Sequence, residues 1–237
     1  MNIRIIIVMA LVLCFVNSCQ VGDQNVKTTI SGQKKITVNN GHVNVKGNRK
    51  IVENEVTLTS FDRIYNGSNA EIFYHVSDEY KAIISTDSNL SEYVTVEVSD
   101  EVLNINLKGG TFSFTKLFIN IYSPELKGVT ISGYGNFTAK NPVQTSVFEA
   151  NIYGMGDINI NGEVDELKVS IEGLGSFKGE KFATNHVIAS IEGLGSIFVH
   201  VNESLTAEID GIGRIRYSGN PTIVSQRVEG IGRIRKR

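Results

Sequence analysis

A short phrase built on two glycines recurs six times in the second half of this 237-residue chain. It reads ISGYGNF from Ile131, IYGMGDI from Ile152, IEGLGSF from Ile171, IEGLGSI from Ile191, IDGIGRI from Ile209 and VEGIGRI from Val228. The first glycines are Gly133, Gly154, Gly173, Gly193, Gly211 and Gly230, so successive copies are 21, 19, 20, 18 and 19 residues apart. The second glycines are Gly135, Gly156, Gly175, Gly195, Gly213 and Gly232. A period this short, with a strand-like pattern in every copy, points to a solenoid of stacked coils.

Aligning the copies shows which side chains such a stack would bury. Phe148, Leu167, Val187, Leu205 and Val224 stand six residues before the first glycine, and Ala150, Val169, Ala189, Ala207 and Gln226 stand four before it. Two before it stand Ile131, Ile152, Ile171, Ile191, Ile209 and Val228. Apolar residues at alternate positions define one buried strand face, and the polar residues between them, such as Lys168, Ser170 and Glu172, face water. Past the glycines, Phe137, Ile158, Phe177, Ile197, Ile215 and Ile234 form a further apolar column. Parallel strands without helical crossovers exclude a βαβ fold, so the expected class is all-β, a right-handed parallel β-helix with coils of about 19–20 residues.

Glycine is the residue that reaches positive φ without a Cβ clash, so each pair is expected to mark a sharp corner. A nucleotide-binding reading of G-x-G needs a helix opening at the glycines, and no segment after any copy has helical periodicity. The residues between the glycines, Tyr134, Met155, Leu174, Leu194, Ile212 and Ile231, form another apolar column. Unbroken alternation would turn it outward with Glu172 and Ser176. Two readings follow: the corner flips parity and buries the column, the plainer one because large exposed apolar patches are uncommon, or the protein carries an apolar stripe for binding or self-association.

The N-terminus speaks to location. Arg4 supplies a basic start, Ile5 to Val16 an apolar run of about twelve residues, and Val16-Asn17-Ser18-Cys19 its end. That run is short for a membrane span and has signal-peptide length. Cysteine directly after a small residue here resembles the lipobox of bacterial lipoproteins, in which the cysteine becomes the lipid-modified first residue. Residues 1–18 are therefore expected as a lipoprotein signal peptide and Cys19 as the lipidation site, holding the protein to the outer membrane. Of the 2 cysteines, Cys14 would leave with the signal, so no disulfide is expected. Residues 19–52 read as a polar tether, within which Ile36-Thr37-Val38 and Val43-Asn44-Val45 alternate and can pair.

Residues 53–237 read as one domain, with irregular coils over 53–125 and regular ones over 126–237. In the irregular part, alternating runs cover 56–58, 63–65, 71–75, 81–85, 93–98, 102–107 and 117–122, with turn residues at Asn66-Gly67 and Ser99-Asp100-Glu101. Phe61-Asp62-Arg63-Ile64, Ala70-Glu71-Ile72, Leu90 to Val98, Leu103-Asn104-Ile105 and Leu117 to Pro124, followed by the G-x-G coils, resemble the head GIN domain family of auto-transporter adhesins. The resemblance covers Glu53 to Arg237, and a lipoprotein signal suits its Bacteroidetes-type members. It implies a secreted or surface-anchored β-helical domain of no established activity and supplies no catalytic residues. A long passenger and a barrel of its own are not expected here, so the auto-transporter part of the name does not transfer.

Catalytic chemistry has little to rest on. Glu172, Glu192, Asp210 and Glu229 stack in one outward column, where neighbours about 5 Å apart repel by on the order of 1 kcal/mol in water. Salt bridges to Arg214, Arg216, Arg233 and Arg235 are the modest explanation, and a weak candidate metal ladder is the sharper one, although calcium needs six or more oxygens. The calcium-binding nonapeptide repeat places an aspartate after its glycines, and only Asp157 stands at a comparable position, so a calcium roll is not expected. A glycosidase needs two carboxylates in different surroundings, whereas Glu172 and Glu192 are alike and the chain has 0 Trp. His42, His75, His186 and His200 lack metal-ligand spacing. With a formal net charge of −2, neither nucleic acid nor an acidic polymer is indicated as a partner.

The sequence thus predicts a non-catalytic cell-envelope lipoprotein that presents a β-helix surface to a protein or glycan, needs no cofactor, and self-associates if the apolar column lies open. A structural scaffold is the first alternative and a carbohydrate-active β-helix enzyme the second.

Overall fold

Alternation carries straight through the G-x-G phrases, and that fixes the architecture. The computed structural model describes residues 26–31, 34–39 and 42–237, with side chains from residue 44 onward. The expected signal segment 1–18 and Cys19 lie outside the described residues. The strands are Val26–Ser31 (β1), Lys34–Asn39 (β2), His42–Lys46 (β3), Ile51–Thr57 (β4), Arg63–Asn66 (β5), Glu71–Val76 (β6) and Lys81–Asp87 (β7). Then come Val94–Ser99 (β8), Val102–Leu107 (β9), Thr111–Ser113 (β10), Leu117–Ser123 (β11), Gly128–Ile131 (β12), Asn136–Ala139 (β13) and Val143–Ile152 (β14). Met155–Ile171 (β15), Leu174–Ile191 (β16), Leu194–Ile209 (β17), Ile212–Gly219 (β18), Ile223–Val228 (β19) and Ile231–Lys236 (β20) complete the chain.

Each regular coil has a first side before the glycines, a second after them, and a shorter third that returns the chain. On the first side β9, β5, β12 and the ends of β14, β15, β16 and β17 run parallel up to β19. On the second, β11, β6, β13 and the starts of β15, β16 and β17 continue through β18 to β20. The columns read from the sequence are the observed register: Ile152, Ile171, Ile191 and Ile209 pair in succession, as do Ile158, Phe177, Ile197, Ile215 and Ile234. These side chains are buried except at Ile234, in the last coil. Unequal coil lengths are absorbed on the third side, where register shifts fall between Asn159 and Asn161, Gly179 and Ala183, and Thr184 and His186. The parallel β-solenoid is therefore the fold.

Two expectations need correction. The first concerns the early part, which is not wholly parallel: β7 lies antiparallel between β4 and β11, and β8 pairs antiparallel with β9. The β8–β9 hairpin turns on Asp100 and Glu101, both at positive φ, as a two-residue loop of type I′ requires. The second concerns the glycines. Of the twelve in the phrases only Gly156 has positive φ, at 152°. The others are needed for close stacking: a Cβ on Gly173 would sit 2.0 Å from the carbonyl oxygen of Gly154, and one on Gly193 2.2 Å from that of Gly173. At each corner two amides share one carbonyl below, as Glu172 and Gly173 do with Ile152 at 3.0 and 2.9 Å, while Leu174 donates to Gly154 at 2.9 Å.

Ahead of the solenoid, β1, β2 and β3 form a small sheet with β10, so the alternating pieces within the expected tether do pair. Asp87, at the end of β7, ties this sheet to the stack. Its carboxylate accepts the amides of Arg49 and Thr115, each at 2.7 Å, and holds Arg49 at a φ of 63°. Burial pushes its pKa up, but the backbone donors of Thr115, Arg49 and Lys116 outweigh it and leave the carboxyl below its ordinary value. A depressed pKa contributes stability that is complete above the unfolded value of about 3.9 and is lost as pH falls through the folded one. Asp87→Asn is expected to lose about 1–3 kcal/mol at neutral pH and to flatten the acid limb of a melting-temperature profile. An acid limb as steep as the wild type's would show that this carboxylate does not set it.

Candidate apolar stripe at the glycine corner

The column between the glycines is open to solvent, which corrects the plainer expectation that the corner buries it. Exposure runs from 37% at Met155 through 41% at Leu174 and 46% at Leu194 to 73% at Ile231, with Tyr134 and Ile212 between. The reason is parity. Ile171 and Phe177 point inward, Gly173 and Gly175 occupy the inward positions between them, and Leu174 therefore points out. The six side chains are in direct register, from Tyr134 against Met155 to Ile212 against Ile231. Five steps of about 4.8 Å make a stripe about 24 Å long. Tyr153, half exposed beside Met155, widens it; its sequence signal is its place in a column that is otherwise Ser132 and acids.

The acidic column runs along one flank of the stripe. Glu172, Glu192 and Asp210 are exposed, and the salt bridges expected from Arg214, Arg216, Arg233 and Arg235 do not form. The only member with an ion pair among the described residues is Glu229, whose partner is Arg227, a residue of the first side that also reaches Glu208 at 2.9 Å. The four arginines project instead from the second side, past the stripe. Nor does the column gather: among the described residues no three His, Cys, Asp or Glu come together so as to hold a metal ion. Glu172 and Glu192 stand in equivalent open surroundings, without the asymmetry that separates an acid from a base.

On the other flank Asp157 joins coils. One of its oxygens accepts the Ser176 amide at 2.9 Å, the other meets Lys178 at 2.6 Å, and its own amide donates to Asn136 at 2.9 Å. The histidines are engaged locally: His75 stacks on Tyr122 and bonds Asn120, His186 bonds Ser204, and His200 bonds Ser218. The side chain of His42 lies outside the described residues. What the corner offers is thus a continuous, exposed apolar edge between charged and polar columns.

The family model described as putative auto-transporter adhesin, head GIN domain, matches residues 60–221. The chain belongs to this family. The head GIN domain so defined begins just before β5 and ends before β19, so the last coil follows it. A crystal structure of a putative adhesin from Bacteroides fragilis has 24% identity and a TM-score of 0.69, covering 81% of this chain and 99% of its own. A putative adhesin from Parabacteroides merdae has 26% identity, a TM-score of 0.54 and coverages of 82% and 99%. A putative lipid binding protein from Parabacteroides distasonis has 23% identity, a TM-score of 0.57 and coverages of 82% and 99%. No curated protein matches the chain.

Proposed function

We propose that this head GIN domain is a non-catalytic adhesive module of the cell envelope, lipid-anchored to the outer membrane through Cys19, which holds a protein partner along the stripe at its glycine corner. The observation that carries the reading is the row Tyr134, Met155, Leu174, Leu194, Ile212 and Ile231, exposed on every rung. Isolated exposed apolar side chains need no explanation, but an unbroken row of six is the kind of patch that marks an interaction site. Its members are chiefly aliphatic, which suits apolar contact with protein better than stacking on sugar rings. The adhesin description of the family agrees with a surface role.

The test compares cells making the full chain with cells making the Leu174→Ser, Leu194→Ser variant, on a panel of immobilised matrix and envelope proteins. Retention by the wild type that falls at least tenfold in the variant, with unchanged melting, is the expected result; both side chains already face water, so stability should move by less than about 0.5 kcal/mol. Equal retention would leave a scaffold role in place of adhesion. Cys19→Ala should move the protein out of the membrane fraction, and an unchanged distribution would refute the anchor.

A further inference from the structure

Four arginines stand together at the far end of the stack. β18 and β20 register Arg214 with Arg233 and Arg216 with Arg235, all exposed on the outward face of the second side. Neighbours across the strands are about 4.8 Å apart and those along a strand about 7 Å. Among the described residues none of the four makes a side-chain hydrogen bond or ion pair, while the other cations nearby are engaged. Arg227 takes Glu208 and Glu229, Arg237 takes Glu180, and Lys236 donates to Asn220. With Gly213, Gly232 and Ile231, the four line an open depression of about 530 Å³.

Like charges directly opposite on adjacent strands are destabilising. This chain nonetheless concentrates four positive charges in two coils although its formal net charge is −2. We infer that the quartet is a binding site for the sulfate or carboxylate groups of an acidic polysaccharide, a second ligand surface beyond the stripe. Guanidinium forks bind such oxyanions through paired hydrogen bonds, which an ammonium cannot do. Two parallel columns on an open floor do not converge on one small anion; they present several forks along a line, as a polymer with repeated anionic groups requires. The site also lies at the opposite end of the strand order from β4 and β8, away from the N-terminal strands. That position disfavours the headgroups of a membrane holding the N-terminus as the occupant.

The experiment passes the purified full chain over immobilised heparin, a sulfated glycan, with neutral dextran as control, and compares the wild type with the fourfold serine variant on phosphatidylglycerol vesicles, where the Cys19 lipid acts equally on both. The wild type should be retained on heparin and not on dextran, and released by salt, as screened charge contacts are. Arg233→Ser with Arg235→Ser should weaken binding at least tenfold, the fourfold serine variant should abolish it, and neither should lower the melting temperature. Lysine at all four positions should restore only part of the affinity. Absence of retention, retention that survives the fourfold variant, or vesicle binding that the fourfold variant loses while heparin retains neither protein would each overturn the assignment. The Leu174→Ser, Leu194→Ser variant should bind heparin normally, so a failed stripe and a failed arginine site give different results.

Discussion

Gly173→Ala should cost about 3 kcal/mol or more, although it adds a single methyl group. The new Cβ would stand 2.0 Å from the Gly154 oxygen and 2.4 Å from that of Tyr153, closer than real Cβ contacts allow. Neither oxygen belongs to a flexible side chain, and the Gly154 carbonyl already accepts the Leu174 amide, so relief requires prising two coils apart. Each corner rests on the one below, Gly193 on Gly173 and Gly211 on Gly193, so the displacement is passed along. Gly109→Ala is the control, because a Cβ there meets nothing within 4 Å, and it should change stability by less than about 0.5 kcal/mol. Urea unfolding of the two variants separates the cases. Equal stabilities would mean that the corners do not touch as described.

The next largest effect is expected at Ile191. It is fully buried in register between Ile171 and Ile209, and its Cδ1 lies under the Gly213 corner. Ile191→Ala should therefore cost about 2–5 kcal/mol, the range for a large aliphatic side chain removed from a site that cannot collapse around the gap. Val228→Ala tests the same column at its last described rung. Val228 pairs with Ile209 but is 45% exposed because no further strand covers it among the described residues, and its loss should stay within about 0.5 kcal/mol. Similar costs at the two positions would contradict the burial gradient from the middle of the stack to its end.

The regular coils are legible in the sequence because two periods coincide there, alternation within a strand and about 19 residues between strands. Phe177 and Ile191 announce their burial through both. The direction of pairing in the first half is not legible: nothing local in Lys81–Asp87 says that β7 lies antiparallel between β4 and β11, since the same alternating face serves either direction. The stripe is ambiguous for a related reason. Leu174 is buried if the corner costs one residue of phase and exposed if it costs none, and the sequence shows the glycines but not the phase. Pairing the arginines with the acidic column fails because closeness along the chain is not closeness across a corner: Arg214 lies beyond Ile212 on the second side, while Arg227 reaches Glu229 from within the first. The recruitment of β10 to the small sheet of β1–β3 escapes a sequence reading because Thr111–Ser113 is too short to show a period.

The ladders that join one coil to the next also have a mechanical meaning. Interstrand hydrogen bonds run across the strands, so in a solenoid they lie along the long axis of the stack. A load taken up at the arginines and resisted near the N-terminus would pull along that axis and open a ladder from one end, as a zipper opens, instead of shearing all its bonds together. The strands to part first would be β20 and β19, whose outer edges have no neighbour among the described residues. Beneath them every coil offers nearly the same ladder again, so tension would be met by successive similar yields and the attachment would lengthen under strain before it let go.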